Sequence, residues 1–331
     1  MFKQILTTVF LLSFISSMAH SAIRVFKPGQ AHLTSDFSFY KTTKNFSPEG
    51  GDFESLPSGY YYQKIRFSPR VDWNLTRRWS VFASTDLVNA TSDNLNFKRT
   101  HTSFSDITMG AQFWIQFQKL VLIPEARLVV PITSFEASTD EVFLSDGVYK
   151  GYLGANLQTQ WGSWIPLVKG FYEYRAEELS HRFHYFAQIT KIFPRSFKLS
   201  AHVGGYMSVF DDGYTDNVSF RNNYNTRVNG GSFAHHGVNP QKLFAGGWLG
   251  FYASSNSIFS LGYQADLNGK NASKNDTILL RWEWLQIAKP KKISRDKKRK
   301  RRFKPVDPSE QEDTASDIFD KVEQEIEGEQ E

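Results

Sequence analysis

The sequence predicts an all-β fold: a transmembrane antiparallel up-and-down β-barrel of about 12 strands, within a range of about 10 to 14. Three observations lead to this prediction. Apolar and polar side chains alternate over long segments, the joins between these segments alternate between short and long, and aromatic residues make up 15% of a chain that is 40% hydrophobic. A sheet with one face in lipid, one face in water and aromatic girdles at the interfaces needs this balance, whereas a deep dry core needs more apolar residues.

The N-terminus has the features of a secretory signal. Lys3 supplies the positive start, residues 5–15 are mostly apolar, and Ala19 and Ser21 are small residues at the −3 and −1 positions. We therefore expect a signal peptide over residues 1–21, because the apolar run is too short to span a bilayer. The chain has no cysteine, which favours a bacterial envelope protein over a secreted protein with disulfides.

The strands follow from a period of two, since successive side chains of a strand point to opposite faces. In the clearest segment, Phe259 and Leu261 belong to one face and Ser260 to the other. Tilted membrane-spanning strands need about nine to eleven residues, and most of the segments reach that length. The twelve predicted strands cover residues 34–42, 59–75, 77–90, 103–118, 120–133, 146–161, 164–177, 181–194, 196–210, 243–254, 257–267 and 275–287.

The joins between these strands give a second signal. Five are tight turns, at residues 76, 118–119, 162–163, 194–195 and 255–256. Five are longer and polar, at residues 43–58, 91–102, 134–145, 211–242 and 268–274, and a short join at 178–180 breaks the rule. Outer-membrane barrels distribute periplasmic turns and extracellular loops in this way, so we expect both chain ends in the periplasm.

The polar face of the strands is strongly charged, which a dry core cannot accommodate but a wet lumen can. A transmembrane barrel is therefore a better interpretation than a soluble β-sandwich or a lipocalin-like barrel. Two interpretations of the charges stay open: a selectivity field for anionic or amphipathic solutes, or a salt-bridge network that fills a narrow barrel. Arg66 and Arg70, four apart on one strand face, are the best pair for steering anions. The lumen candidates are Lys64, Arg66, Arg70, Asp72, Glu125, Arg127, Lys150, Glu173, Arg175, Arg281 and Glu283.

The longest predicted loop, 211–242, is a candidate constriction or ligand-binding loop. Its charged candidates are Asp211, Asp212, Arg221 and Arg227. Adjacent His235 and His236 do not predict a metal, since neighbours on an extended chain point apart. His101 and Ser103 have the spacing of an outer-membrane phospholipase, but Phe104 stands where that enzyme needs Asn, so we interpret the match as chance.

After Ala288 the composition changes abruptly. Residues 289–304 are strongly basic and residues 306–331 strongly acidic, which predicts a disordered tail. The basic block could meet anionic headgroups of the inner leaflet, or the tail could simply be solvated. The predicted organisation is a signal peptide, a periplasmic segment, the barrel and a periplasmic tail, over residues 1–21, 22–33, 34–288 and 289–331.

A short part of the chain resembles a known family. Residues 104–111, followed by a strand ending at 129–132, resemble a pattern of outer-membrane barrels that transport aromatic or hydrophobic compounds and are distantly related to the long-chain fatty-acid channels. Those barrels have Gly before the aspartate and a later Gly, where this chain has Ser105 before Asp106 and then Thr133. The fatty-acid channels also carry an N-terminal hatch, for which this sequence leaves no room. The resemblance implies passive uptake of small solutes, hydrophobic ones among them.

The first functional hypothesis is therefore a passive channel in the bacterial outer membrane for small solutes, hydrophobic or anionic. The alternative is a non-transporting structural or surface-binding barrel whose loops or tail engage partners; a surface enzyme is a weak third. The expected partners are outer-membrane lipids, the barrel-assembly machinery and, through residues 289–331, a periplasmic protein or the cell wall, but no nucleic acid. We expect no cofactor, no metal and no enzymatic activity.

Overall fold

The computed structural model describes residues 28–134, 140–193, 197–254 and 256–286. The predicted signal peptide and charged tail lie outside these residues. The described part consists of fifteen strands and one helix. They are β1 (Ala31–Thr42), β2 (Lys44–Phe46), β3 (Phe53–Ser55), β4 (Tyr61–Asn74), β5 (Trp79–Asp93), β6 (Lys98–Phe113), β7 (Ile115–Phe117), β8 (Leu120–Pro131), β9 (Lys150–Thr159), β10 (Trp164–Arg175), β11 (Arg182–Ile192), β12 (Phe197–Ser208), α1 (Val218–Val228), β13 (Gln241–Ser254), β14 (Ser257–Lys270) and β15 (Asp276–Gln286).

Twelve of the strands close into one antiparallel barrel, as the sequence predicted. Each barrel strand pairs with its neighbours in sequence, and β7 continues β6 along the edge of β8. The barrel closes where β1 pairs with β15, in a register that runs from Ala31 opposite Gln286 to Lys41 opposite Asp276. The remaining short strands, β2 and β3, form a hairpin of their own.

The apolar face of the sheet points outwards and the polar face inwards. On β14, Leu261 is 52% exposed whereas its neighbour Ser260 is 5% exposed. A soluble barrel has the opposite arrangement, and a membrane-spanning barrel has this one. The alternation of faces predicted from the sequence is therefore confirmed on this strand.

Large exposed aromatic residues cluster near both ends of the outer surface. We call one end the turn end, because it carries the short joins 75–78, 118–119 and 160–163, and the opposite one the loop end. Exposed rings near the turn end are Trp73, Trp79, Phe117, Trp161, Trp164 and Trp284, and those near the loop end are Phe97, Tyr149, Tyr174 and Phe210. Two such girdles are typical of strands that cross a bilayer.

The loop end has fewer long joins between strands than the sequence predicted. Three joins are long, at residues 43–60, 132–149 and 209–240, but the predicted long loop 91–102 spans only residues 94–97. The difference arises because β5 and β6 continue pairing up to Asp93 and Lys98, past the point where the alternation of side chains fades.

Two of the long loops fold into the mouth of the barrel, and we call their described residues 140–149 and 209–240 the mouth plug. Val142 and Leu144 of the first loop are buried against Tyr62, Val88 and Ala90, which lie on the inner wall. Phe143 stacks on Tyr224 of α1 at 5.4 Å between ring centroids, so the two loops also pack on each other.

Among the described residues, no helix combines the length and the apolar character that a bilayer-crossing helix needs.

Candidate functional site

Two cavities occupy the lumen beneath the mouth plug. The loop-side cavity has a volume of about 490 Å³ and the turn-side cavity about 760 Å³. Five side chains line both of them, so the two cavities adjoin at these residues. The shared residues are Thr34, Asp36, Arg66, Arg70 and Arg127.

The structure places nine of the eleven predicted lumen residues on the walls of these cavities. They are Lys64, Arg66, Arg70, Asp72, Glu125, Arg127, Lys150, Arg281 and Glu283. The other two, Glu173 and Arg175, also point inwards, but each is only 1% exposed and lies behind the side chains that face the cavities.

Several of these charges neutralise one another. Arg70 donates to Asp72 through two nitrogens, at 2.7 Å for the Nη2–Oδ1 contact and 3.0 Å for the Nε–Oδ2 contact. Arg281 binds Asp36 of β1 in the same two-pronged way, at 2.6 and 2.9 Å. For these residues the salt-bridge network is the better of the two interpretations. The two arginines predicted to steer anions therefore differ. Arg70 is held by hydrogen bonds to a carboxylate, whereas Arg66 lies 3.8 Å from Asp86.

A buried ionic centre surrounds Asp146, which is 6% exposed. Its carboxylate lies 3.0 Å from both Arg175 and Lys150 and 3.5 Å from the Nδ1 atom of His235. Burial alone would raise the pKa of Asp146, but the adjacent Arg175 and Lys150 hold it well below its usual range. This centre ties both loops of the mouth plug to the barrel wall.

Sequence reasoning missed Asp146 because the predicted strand 146–161 begins four residues too early, at the aspartate itself. The structure starts β9 at Lys150 and leaves Asp146 in the loop. Gly147, which follows, has a φ of 68°. An Asp-Gly pair is a turn signal that could have placed the strand start after it.

The charged candidates of the long loop do not line either cavity. Asp212 and Arg221 are buried within the loop, 3.8 Å apart, and Asp211 and Arg227 are exposed. Ala234 and His235 are the residues of this loop that reach the loop-side cavity. The loop therefore narrows the lumen through residues other than the predicted ones.

The adjacent histidines of this loop point to different partners. His235 faces Asp146, and the Nδ1 atom of His236 lies 2.7 Å from Nη1 of Arg221. Burial lowers the pKa of His235 to about 4, with Lys64 adding to the effect against Asp146. Among the described residues, no group of three or more histidine, aspartate or glutamate side chains is placed to hold a metal ion.

Aromatic side chains turn inwards on one side of the turn-side cavity, where the period of two predicts polar residues. Phe171, Phe186, Phe244 and Trp248 line this wall. Arg281 lies over the ring of Trp248 at 5.0 Å, and Lys169 lies over Phe186 at 5.5 Å. The lumen thus combines cations with aromatic faces, a combination suited to amphipathic anions.

His101, whose spacing from Ser103 we interpret as a chance match to a phospholipase, lies beside the mouth plug. The Nδ1 atom of His101 lies 3.4 Å from the carboxylate of Glu141 and 3.3 Å from the carbonyl oxygen of Val142. These contacts orient the imidazole towards the mouth plug.

No protein-family model matches the chain, and a search of curated proteins finds no similar sequence. Solved structures of the same architecture do match. An outer membrane channel from Pseudomonas putida F1 is 13% identical, with a TM-score of 0.60 over 82% of this chain and 100% of the other. The NanC porin is 9% identical, with a TM-score of 0.45 over 76% of this chain and 98% of its own. The KdgM porin in complex with disordered oligogalacturonate is 5% identical, with a TM-score of 0.43 over 77% and 99%.

At these identities the first similarity shows the fold and nothing finer. It confirms the prediction of a closed twelve-stranded barrel of the kind that outer-membrane channels adopt.

Proposed function

We propose that this protein is a passive channel of the bacterial outer membrane for small solutes. The observation that carries the proposal is a wet, charged lumen inside an apolar, aromatic-girdled outer wall. Two adjoining cavities lie beneath the mouth plug, and both are lined by charged side chains that need water or a solute around them.

The mouth plug supports a second candidate, a barrel that does not transport. Tyr62, Val88 and Ala90 of the wall are buried to 0% exposure against the plug. In this alternative the loops bind a partner at the surface and the lumen stays shut. A channel, in contrast, requires the plug to loosen.

Conductance in planar bilayers separates the two candidates. We expect the folded protein to give small single-channel events, and Phe143→Ala to enlarge them at least about twofold, because Phe143 joins the two plug loops through Tyr224 and His236. Phe97→Ala removes an equal ring from an exposed tip, 61% exposed, and serves as the matched control.

We also test a variant in which a short Gly-Ser linker replaces residues 211–238. If neither the wild-type protein nor any variant conducts, the channel proposal is contradicted and the non-transporting barrel is favoured. Lipid release from phospholipid vesicles, abolished by Ser103→Ala, would instead support an enzyme.

A further inference from the structure

The loop-side cavity contains hydrogen-bond donors without acceptors. Arg127 of β8 and Arg182 of β11 both line it, and neither side chain makes a hydrogen bond within the described part of the chain. The Nε groups of both are shielded from solvent and unpartnered. Arg127 comes no nearer to a carboxylate than 3.7 Å, at Glu125. Since a guanidinium carries five N–H donors, two such groups on the wall of one cavity offer hydrogen-bond donors to an anion.

Each of these guanidinium groups rests on a tyrosine ring. The guanidinium carbon of Arg127 is 4.2 Å from the ring centroid of Tyr152, and that of Arg182 is 4.7 Å from Tyr206. Stacking uses the face of the guanidinium and leaves the in-plane N–H groups available. These are the groups that bind carboxylates and phosphates in a two-pronged manner.

A buried carboxylate holds this wall in place. Glu173, 1% exposed, accepts a hydrogen bond from the hydroxyl of Tyr152 and lies 2.7 Å from Nε2 of His184. The His184 ring stands between the two tyrosines, with centroid distances of 5.9 Å to Tyr152 and 5.6 Å to Tyr206. The rings that support the arginines are therefore fixed before any solute arrives, which lowers the entropy cost of binding.

The carboxylates of the same cavity are already engaged. Asp36 binds Arg281, and Asp146 binds Arg175 and Lys150. Asp86 lies 3.8 Å from Arg66, and Asp106 accepts from Ser105 at 3.0 Å and Ser145 at 3.2 Å. These acidic groups therefore do not supply the acceptors that Arg127 and Arg182 lack.

Hydroxyl groups line the rest of the loop-side cavity. They belong to Thr34, Ser68, Ser84, Ser105, Thr108 and Ser145. The hydroxyl of Ser68 is buried and has no hydrogen-bond partner among the described residues. Such a lining suits a solute that carries hydroxyl groups of its own, and about 490 Å³ holds a molecule of monosaccharide size together with water.

We infer that the loop-side cavity binds the oxyanion of a small hydroxylated solute, a sugar acid or a sugar phosphate, between Arg127 and Arg182. The inference rests on the proposed channel for its biological purpose, but binding is measurable without transport. It names the substrate class that the channel would select.

Calorimetry on the folded full-length protein in detergent tests this inference. We expect glucuronate to bind and neutral glucose to bind at least about tenfold more weakly. Arg127→Gln and Arg182→Gln should each weaken glucuronate about tenfold, as expected for the loss of a two-pronged charged contact. Lys198→Gln is the matched control: it removes the same charge from a lysine paired with Glu283 at 2.8 Å, outside both cavity walls, and should change binding less than about threefold.

Arg127→Lys and Arg182→Lys keep the charge and guard against misfolding, which heat-modifiable gel mobility monitors; they should retain part of the affinity. Glucose 6-phosphate in place of glucuronate tells which oxyanion the site prefers. Equal binding of glucose and glucuronate, or full affinity in both glutamine variants, would overturn the inference even if the barrel conducts. If binding follows the expected pattern but the barrel never conducts, the binding site is supported and the proposed channel function is contradicted.

Discussion

His235 is the residue at which the two loops of the mouth plug meet the lumen. Its Nδ1 atom faces Asp146, and its Nε2 atom lies 3.5 Å from Nζ of Lys64 and 3.3 Å from the hydroxyl of Tyr62. Lys150, which binds the same aspartate, adds a further positive charge. A protonated His235 would be buried beside two lysines, and its one neighbouring carboxylate is shared with Lys150. Burial and the two lysines therefore favour the neutral imidazole.

This arrangement predicts that acid opens the plug. The pKa of His235 is about 4 in the closed plug against its usual value of 6.5, so the closed form binds fewer protons than an open one. Between these two values, lowering the pH favours opening by up to about tenfold per unit, and Asp146 keeps its charge there because its own pKa lies well below its usual range. Protease cleavage within residues 209–240 should accelerate from pH 7 to pH 5, and His235→Gln should weaken this pH dependence; the rest belongs to His236, whose pKa is also held well below its usual value by burial. An unchanged wild-type rate over that interval would refute the mechanism.

At the scale of the strand, the sequence was a good guide because lipid and water impose opposite demands on alternate residues. Leu261 and Ser260 fall on the faces that their polarity predicts, and all twelve predicted barrel strands correspond to observed ones. The predicted strand ends were less accurate, as at β5 and β6. Backbone pairing continues there although apolar and polar side chains no longer alternate.

The faces make a direct prediction about assembly. Val203 and Leu261 are 43% and 52% exposed on the outer wall, so Val203→Arg or Leu261→Arg should prevent insertion, at a cost of about 2–4 kcal/mol near the bilayer midplane. Ser200→Arg and Ser260→Arg place the same charge on the inner face and should still give a folded barrel. Heat-modifiable gel mobility reads the outcome, and equal tolerance on both faces would refute the register.

The features that the sequence did not predict depend on contacts between distant segments. Tyr62 meets the carbonyl oxygen of Phe143 at 2.8 Å, and Phe143 meets Asn229 and Tyr224 of the other loop. No local pattern encodes such a plug. The inward aromatic wall at Phe244 and Trp248 was missed for a related reason: a period of two assigns faces by polarity, and these rings lie on the face expected to be polar.

For the whole molecule, the charged tail and the barrel should be separable. The last barrel strand, β15, ends at Gln286, two residues before the boundary that the sequence predicts at Ala288. A chain that stops there should fold and show heat-modifiable mobility, whereas a chain that stops at Asn275 lacks β15 and cannot pair with β1. Failure of the longer chain to fold would show that residues 289–331 are needed for assembly.

The seam between β1 and β15 also determines the order of events when the protein is made. All other barrel strands pair with partners close in sequence and can form as hairpins, but this seam joins Ala31 to Gln286 across the whole barrel. Closing such a long loop is entropically expensive and slow. Until it closes, the growing sheet presents two open edges, which invite pairing with other chains. The slow step of biogenesis should therefore be this last zippering, and an added peptide with the sequence of β15 should compete for the edge of β1 only before it is complete.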